Sequence, residues 1–374
     1  MKKLAKLATI SLFAASSIYA ADSLEDAFKN GTTSGELSVY HISTDNKTAD
    51  DTDFTVGSIY LNYVTDEING FKATIGGRAN HLFSQKNDGY DTGSDGRVDA
   101  VVTEANIAYA TDMVTVIAGR QPIDLEWIGD YHDALVGVFS HNGLTAIAGL
   151  TNRFMAADPD GSLSRMGDIL DKDGKKTKAA VLDLSYAIND NLSVGGYYMN
   201  AIDLFSAVGG SVSANVAGLG VTAKYAQTSE DVANTENGKI YALDLGYEIK
   251  DVVTLNGGYI KAGKRNGTGS LDSLGDNINP FEDGNQVYGV DIGPDAKTWY
   301  LGASSEVAGF GFGALYGQTK YDNAGTKEKE KELNLFVDKE VYTNLTASAI
   351  YVDVKPEDRD ARYDYISLQL AYSF

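Results

Sequence analysis

The chain has 374 residues, with 52 acidic against 31 basic side chains (net charge −21), 40 glycines, 23 tyrosines, five prolines and no cysteine. Such acidity argues against nucleic acid as a partner, which needs a basic face. The missing cysteine excludes a disulfide scaffold, a thiolate metal site and a cysteine nucleophile.

Residues 1–20 have the layout of a secretory signal peptide. Lys2, Lys3 and Lys6 form a basic start, Leu7–Ala15 a short apolar core, and Ile18-Tyr19-Ala20 a small-residue cleavage site. The apolar run is too short to cross a bilayer as a helix, and no later run approaches the length a spanning helix needs. The 31 basic residues less those three lysines leave 28 against 52 acidic, a mature net charge of −24.

After a lead-in at 22–31 that suits one helical turn, the pattern is repetitive. Segments of about ten residues alternate apolar with small or polar side chains, as membrane-crossing strands do. Leu37/Val39 begin it, followed by Ile59/Leu61/Tyr63, Phe71/Ala73/Ile75 and Val101/Ala105/Ile107/Tyr109. Later examples are Leu182/Leu184/Tyr186, Tyr241/Leu243/Leu245/Tyr247 and Leu345/Ala347/Ala349/Tyr351.

The connections alternate too. Short ones fall at 66–70, 110–113, 140–143, 188–191, 217–220, 249–251, 307–309 and 340–344. Between them lie longer, Asp- and Gly-rich ones at 44–53, 84–97, 121–133, 152–178, 228–238, 262–295, 321–330 and 355–361. Tight turns on one side and long loops on the other fit an outer-membrane barrel, and Tyr63, Phe71, Tyr109, Tyr186, Tyr247, Phe310 and Tyr342 beside the tight turns fit an interfacial girdle. The fold class is therefore all-β, a transmembrane antiparallel β-barrel of about 18 strands. The segment 203–216 is the hairpin whose loss would give 16.

Strand parity sorts the polar residues. Opposite the apolar set, Lys72, Thr74, Arg78 and Asn80 face inward, as do Glu104 and Asn106, Lys224, and Asp244. The terminal Ile366, Leu368, Leu370, Tyr372 and Phe374 share one outward face. Among the longer connections, 121–133 carries bulky apolar residues: Ile123, Leu125, Trp127, Ile128 and Tyr131. A loop in water has no use for them. Folded into the barrel, the loop would pack them on the wall and present Asp124, Glu126, Asp130 and Asp133 to a pore, where carboxylates select cations. A surface loop or a subunit contact is the plainer account of the same residues.

Other signals carry less. Gly309-Phe-Gly-Phe-Gly313 lacks the helix a phosphate loop needs. Asp158-Pro-Asp-Gly161 and Asp171-Lys-Asp-Gly174 resemble pieces of a calcium loop without its closing Glu, so no cofactor is expected beyond adventitious Ca²⁺ at acidic loops. His132, between Asp130 and Asp133, offers a His–carboxylate pair for a barrel hydrolase, but no nucleophile spacing supports catalysis.

Ser23-Leu-Glu-Asp-Ala-Phe-Lys-Asn-Gly31, Ser34-Gly-Glu-Leu-Ser-Val-Tyr40, Gly119-Arg120-Gln121 and the terminal Leu-Ala-Tyr-Ser-Phe374 together resemble an OprD-type outer-membrane porin, in particular the major porins of epsilon-class proteobacteria. The resemblance implies an 18-stranded barrel with an inward third loop, often a homotrimer, and a basic ladder facing acidic residues at the narrowest point. Arg78, Arg120 and Arg153 map to that ladder. The expectation is a passive porin of the bacterial outer membrane rather than an enzyme. It would lie in outer-membrane lipid and lipopolysaccharide and pass small hydrophilic solutes and ions with a preference for cations. A barrel enzyme or adhesin acting through its outer loops is the alternative.

Overall fold

A computed structural model of the chain describes residues 21–87, 89–90, 97–282 and 293–374; residues 1–20, expected to be a signal peptide, lie outside the described residues. Eighteen strands form one antiparallel sheet that closes on itself. They are β1 Thr32–Asn46, β2 Thr52–Val64, β3 Phe71–Lys86, β4 Ala100–Ala110, β5 Val114–Pro122 and β6 Tyr131–His141. Then come β7 Leu144–Met155, β8 Ala179–Asn189, β9 Leu192–Ala201, β10 Phe205–Val216, β11 Leu219–Glu230 and β12 Lys239–Ile249. The last six are β13 Val253–Ala262, β14 Lys297–Val307, β15 Phe310–Asn323, β16 Thr326–Tyr342, β17 Leu345–Lys355 and β18 Tyr363–Ser373. Each strand pairs with its chain neighbour, and β18 pairs with β1 from Glu36↔Ser373 to Asn46↔Tyr363. Closure leaves no edge strand with unpaired backbone groups. Among the described residues no helix is long and apolar enough to cross a membrane.

The alternation read from the sequence is the alternation of the wall. Leu37, Leu61, Ile75, Leu184, Leu245 and Leu370 are exposed on the outer face, whereas Ser38, Ser58, Thr74, Asn106 and Ala242 are buried on the inner one. All eight short connections are tight turns, and 203–216 supplies β10. The lead-in forms a helix, α1 (Leu24–Lys29), capped by the Ser23 hydroxyl, which accepts from the Asp26 amide at 3.1 Å.

Two expectations need correction. The connection at 321–330 is no long loop: β15 and β16 stay paired to Asn323↔Thr326 and turn over Ala324 and Gly325 alone. Both turn residues have positive φ (49° and 92°), the geometry a two-residue hairpin requires. On β4 the inward and outward sets change over at a bulge. Register runs from Gly76↔Glu104 to Gly77↔Val102, leaving Thr103 unmatched. Thr103 and Glu104 are both buried, so Val102 (45% exposed), not Val101, joins the outward face above Ala105.

Candidate functional site: loops and wall in the barrel interior

The third loop turns inward at Gly119-Arg120-Gln121. Gly119 has φ 120°, and a side chain there would collide with the Ala105 carbonyl. The Gln121 amide, buried, donates towards the carbonyls of Ile117, Gly119 and Ala134 at 3.2–3.3 Å. Beyond this bend the Ile123 amide donates to Asp130 and the Leu125 amide to Ile128, both at 2.9 Å, so 123–130 is a small hairpin of its own. Its apolar side chains are buried, Trp127 and Ile128 at 1% exposure. They share one cluster with Val136, Ile147, Met199, Phe205, Ile240 and Ile260, the inward-facing residues of six wall strands. The Trp127 indole donates to the Tyr197 hydroxyl.

A second inward element was not legible as such. Residues 262–295, expected as an outer loop, send Leu271, Leu274 and Phe281 into the same cluster. The two loops meet where the Gly129 amide donates to the Leu274 carbonyl at 3.2 Å. Glu230, at the top of β11, holds the descending chain by accepting from the Ser270 amide (3.0 Å) and hydroxyl (2.7 Å). Phe281 lies over Gly317, a wall position where a methyl group would occupy the ring's place. The available signal was the spacing of Leu271, Leu274, Ile278 and Phe281 within an otherwise polar stretch.

The fourth loop also enters. Asn80, buried on the inner face of β3, donates to the carbonyls of Asp158 and Gly161, each at 2.8 Å, and the Tyr90 hydroxyl donates to Gly161 at 2.9 Å. Asp158-Pro-Asp-Gly161, weighed above as a calcium fragment, is thus a loop tip pinned inside the barrel. In the other fragment, Asp171 accepts from the amides of Asp173 and Lys175 at 2.8 Å, a turn-forming use of its carboxylate. Among the described residues no three His, Asp or Glu side chains are placed to hold a metal.

The charged residues fall into three groups. On one side of the lumen, Arg78 donates to the Ser58 hydroxyl at 2.8 Å and lies 5.3 Å from the centre of the Tyr60 ring. Tyr60 donates to Glu104 at 2.7 Å. Asp160 sits within electrostatic reach of this guanidinium, with Asp158 beside it. Burial, reinforced by Asp158, pushes the Asp160 carboxyl above its ordinary 3.8, with Arg78 working the other way. Across the lumen, Glu126 forms a 2.9 Å ion pair with Lys224 of β11, with Tyr197 at 3.5 Å. Asp183 of β8 feels the Glu126 charge, and Asp244 accepts from the Tyr300 hydroxyl. Asp124 and Asp130 lie in the inward hairpin, and Lys72 stands opposite buried Ala108.

The third group is not in the lumen. Arg120, Asp133 and Arg153 are cross-strand partners on β5, β6 and β7. Their neighbours Gln121 and His132 are buried on the inner face, so alternation puts Arg120 and Asp133 on the outer face with Leu135. A bulge between Thr151 and Arg153 brings Arg153 to the same side. Arg120 clasps Asp133 at 2.8 and 3.3 Å, and Arg153 reaches Asp133 at 3.4 Å and Asp168 at 3.5 Å. The mapping of Arg120 and Arg153 to a lumenal ladder, and of Asp133 to the pore, is therefore corrected: the Gly119 bend and the bulge decide which way they face. His132 is fully buried and stacked on Phe154, and its Nε2 donates to the Gly129 carbonyl at 2.7 Å. Its Nδ1 is taken by the Thr151 hydroxyl at 3.0 Å and Asp133 lies on the opposite face, so neither ring nitrogen is left for a catalytic carboxylate.

The architecture is that of a closed 18-stranded barrel with loops folded into its lumen, and it is similar to solved outer-membrane porins of the OprD type. The crystal structure of Acinetobacter baumannii OccAB4 superimposes with a TM-score of 0.75 at 14% identity, covering 92% of this chain and 98% of that one. Pseudomonas aeruginosa OpdQ matches with a TM-score of 0.72 at 16% identity, covering 92% and 99%. Pseudomonas aeruginosa OpdK, solved with vanillate, matches with 0.74 at 13%, covering 93% and 99%. No family model and no curated protein matches the sequence.

Proposed function

We propose that this chain is an outer-membrane porin through which small hydrophilic solutes and ions diffuse passively, with a preference for cations. The observation that carries the reading is the two-faced wall. Outside are exposed Leu, Ile, Val and aromatic side chains; inside are Arg78, Glu104, Glu126, Asp183, Lys224 and Asp244, a set in which carboxylates predominate. Charged groups on the inner side suit a water-filled lumen, as they would not suit lipid. The hairpin at 123–130 is the narrowing element of this proposal, with Glu126 and Asp124 towards the solute path and Arg78 across it setting a transverse field. The export signal at 1–20 and kinship with the epsilonproteobacterial porins belong to the same reading. No cofactor enters it, and Ca²⁺ at the acidic loops would be adventitious.

The test is the reversal potential in a planar bilayer under a salt gradient. A single charge about 6 Å from a permeating ion in water-like surroundings changes its local concentration about threefold. Replacing Asp124→Asn and Glu126→Gln together is expected to lower cation preference. An unchanged reversal potential would mean that the solute path avoids this hairpin.

We also infer homotrimeric assembly through the outer face of β4–β7. Six to eight residues above the short turns, Tyr198, Tyr241, Tyr259, Trp299 and Tyr316 form an upper aromatic belt on the outer face of β9 and β12–β15. At the same height β5 and β6 carry Arg120 and Asp133, with Ala118 and Gly137 below them. An Arg120–Asp133 ion pair on the outer face suits protein better than lipid. Light scattering in detergent that returned the mass of one copy would dispose of this assembly.

A further inference from the structure

Four lysines stand directly opposite one another on consecutive strands: Lys261↔Lys297 on β13 and β14, Lys297↔Lys320 on β14 and β15, and Lys320↔Lys329 on β15 and β16. Their chain neighbours Ile260, Thr298, Thr319 and Glu330 are buried on the inner face, so all four side chains are on the outer one. Like charges directly opposite across a sheet repel. Such a row, in a chain of net charge −21, calls for a counter-charge.

The protein supplies only part of it. Lys297 meets Asp295 at 3.2 Å, and Lys329 reaches Glu357 at 3.6 Å. Asp295 is shared with Lys327 at 2.7 Å, and no ion pair engages Lys261 or Lys320 among the described residues. Lys297, Lys320, Lys327 and Lys329 border a cleft of about 350 Å³ that Asp295, Glu328 and Glu357 also line. The next outward residues towards the short turns include Tyr259 and Trp299, with Tyr316 one step further below Lys320. These belong to the belt that marks the edge of the apolar zone. The row therefore stands at headgroup level, on the side of the long loops. With strands about 4.8 Å apart, four lysines span roughly 15 Å, enough for a headgroup bearing more than one phosphate.

We propose that this lysine row is a docking site for the phosphorylated headgroup of an outer-leaflet glycolipid, whose acyl chains lie along the aromatic belt below. The proposal rests on the porin reading for the orientation of the barrel. Each lysine near a charged membrane surface contributes about a fivefold factor in affinity, so removing four weakens binding by roughly a hundredfold or more.

The experiment uses the purified full barrel in detergent, titrated with bis-phosphorylated lipid A, with the same lipid dephosphorylated, and with inorganic phosphate. Bound lipid is counted by native mass spectrometry, and heat resistance is followed in parallel. Wild type is expected to retain the phosphorylated lipid and to gain heat resistance from it, and to do neither with the dephosphorylated form. The variant Lys261→Gln/Lys297→Gln/Lys320→Gln/Lys329→Gln is expected to lose that binding. In lipid-free detergent it should be at least as heat-resistant as wild type, because mutual repulsion is relieved; the corresponding Lys→Arg variant should bind as wild type does. Equal binding of both lipids, equal protection by inorganic phosphate, or undiminished binding by the Gln variant would each overturn the proposal. Channel recordings separate the two readings: a Gln variant that conducts normally leaves the porin standing, whereas a wild type that never opens a channel removes the porin and not the lipid count.

Discussion

Trp127→Ala is expected to release the 123–130 hairpin from the wall and raise single-channel conductance, with larger current fluctuations. The indole is 1% exposed, packed in a cluster to which the wall strands β6 to β15 contribute, and its N–H donates to Tyr197. Truncating a buried Trp costs about 3–5 kcal/mol. Inverting a two-state population from 99:1 to 1:99 takes about 5.5 kcal/mol. The substitution therefore removes most of a docking preference of that size while leaving the sheet pairings untouched. Trp127→Phe, which keeps an aromatic ring in the cluster but loses part of the volume and the hydrogen bond, should fall between the two. If Trp127→Ala forms channels of wild-type conductance and quiet baseline, the hairpin does not gate the lumen.

Arg78→Gln is expected to raise cation preference and to move its pH dependence upward. The guanidinium acts on Asp160 and lies against Tyr60, which is bonded to Glu104, and nearby cationic charge favours ionised carboxylates. Asp160 already holds its proton above the ordinary 3.8 because it is buried beside Asp158. Without Arg78 it holds that proton to still higher pH. In wild type the lumen gains this negative charge as pH rises through the raised value; in the variant the gain comes later. Above both windows the variant lumen has lost one positive charge, which raises the local cation concentration about threefold. The contribution to folding has the opposite pH sense. The fold favours protonated Asp160, so that contribution is complete below 3.8 and is lost as pH rises through the raised value. Reversal potentials measured from pH 4 to 8 (about the span in which carboxylates and histidines titrate) check both points. A variant profile superimposable on wild type would mean that Arg78 and Asp160 do not face the permeating ions.

Much of the barrel was legible because its physics is local. Two-residue periodicity and turn residues such as Asn142-Gly143 and Ala308-Gly309 mark strands and short turns without reference to distant parts of the chain. The inward hairpin was legible for a related reason, since Ile123, Leu125, Trp127 and Ile128 are out of place in a solvated loop. What escaped depends on single residues that shift register. Thr103 and Asn152 each insert one residue into a strand, and every parity assignment beyond such a point reverses. The Asn152 bulge turns Arg153 outward, and the outward placement of Arg120 and Asp133 follows from the pairing around Gly119, which the Gly-Arg-Gln resemblance by itself does not reveal. The descent of 262–282 escaped because its apolar residues are spread through a polar stretch and find their partners on strands far away in the sequence.

The seam between β1 and β18 bears on how this molecule is made. Tyr40 accepts a hydrogen bond from Gln369, a partner 329 positions later, so the cylinder cannot be completed until the last strand has been synthesised and delivered. Contacts of such sequence separation form slowly, and until they do the open sheet exposes two adhesive borders. Export of this chain therefore depends on keeping it unaggregated through a long unfinished interval, and the loss of even the final few residues would be felt in assembly before it was felt in transport.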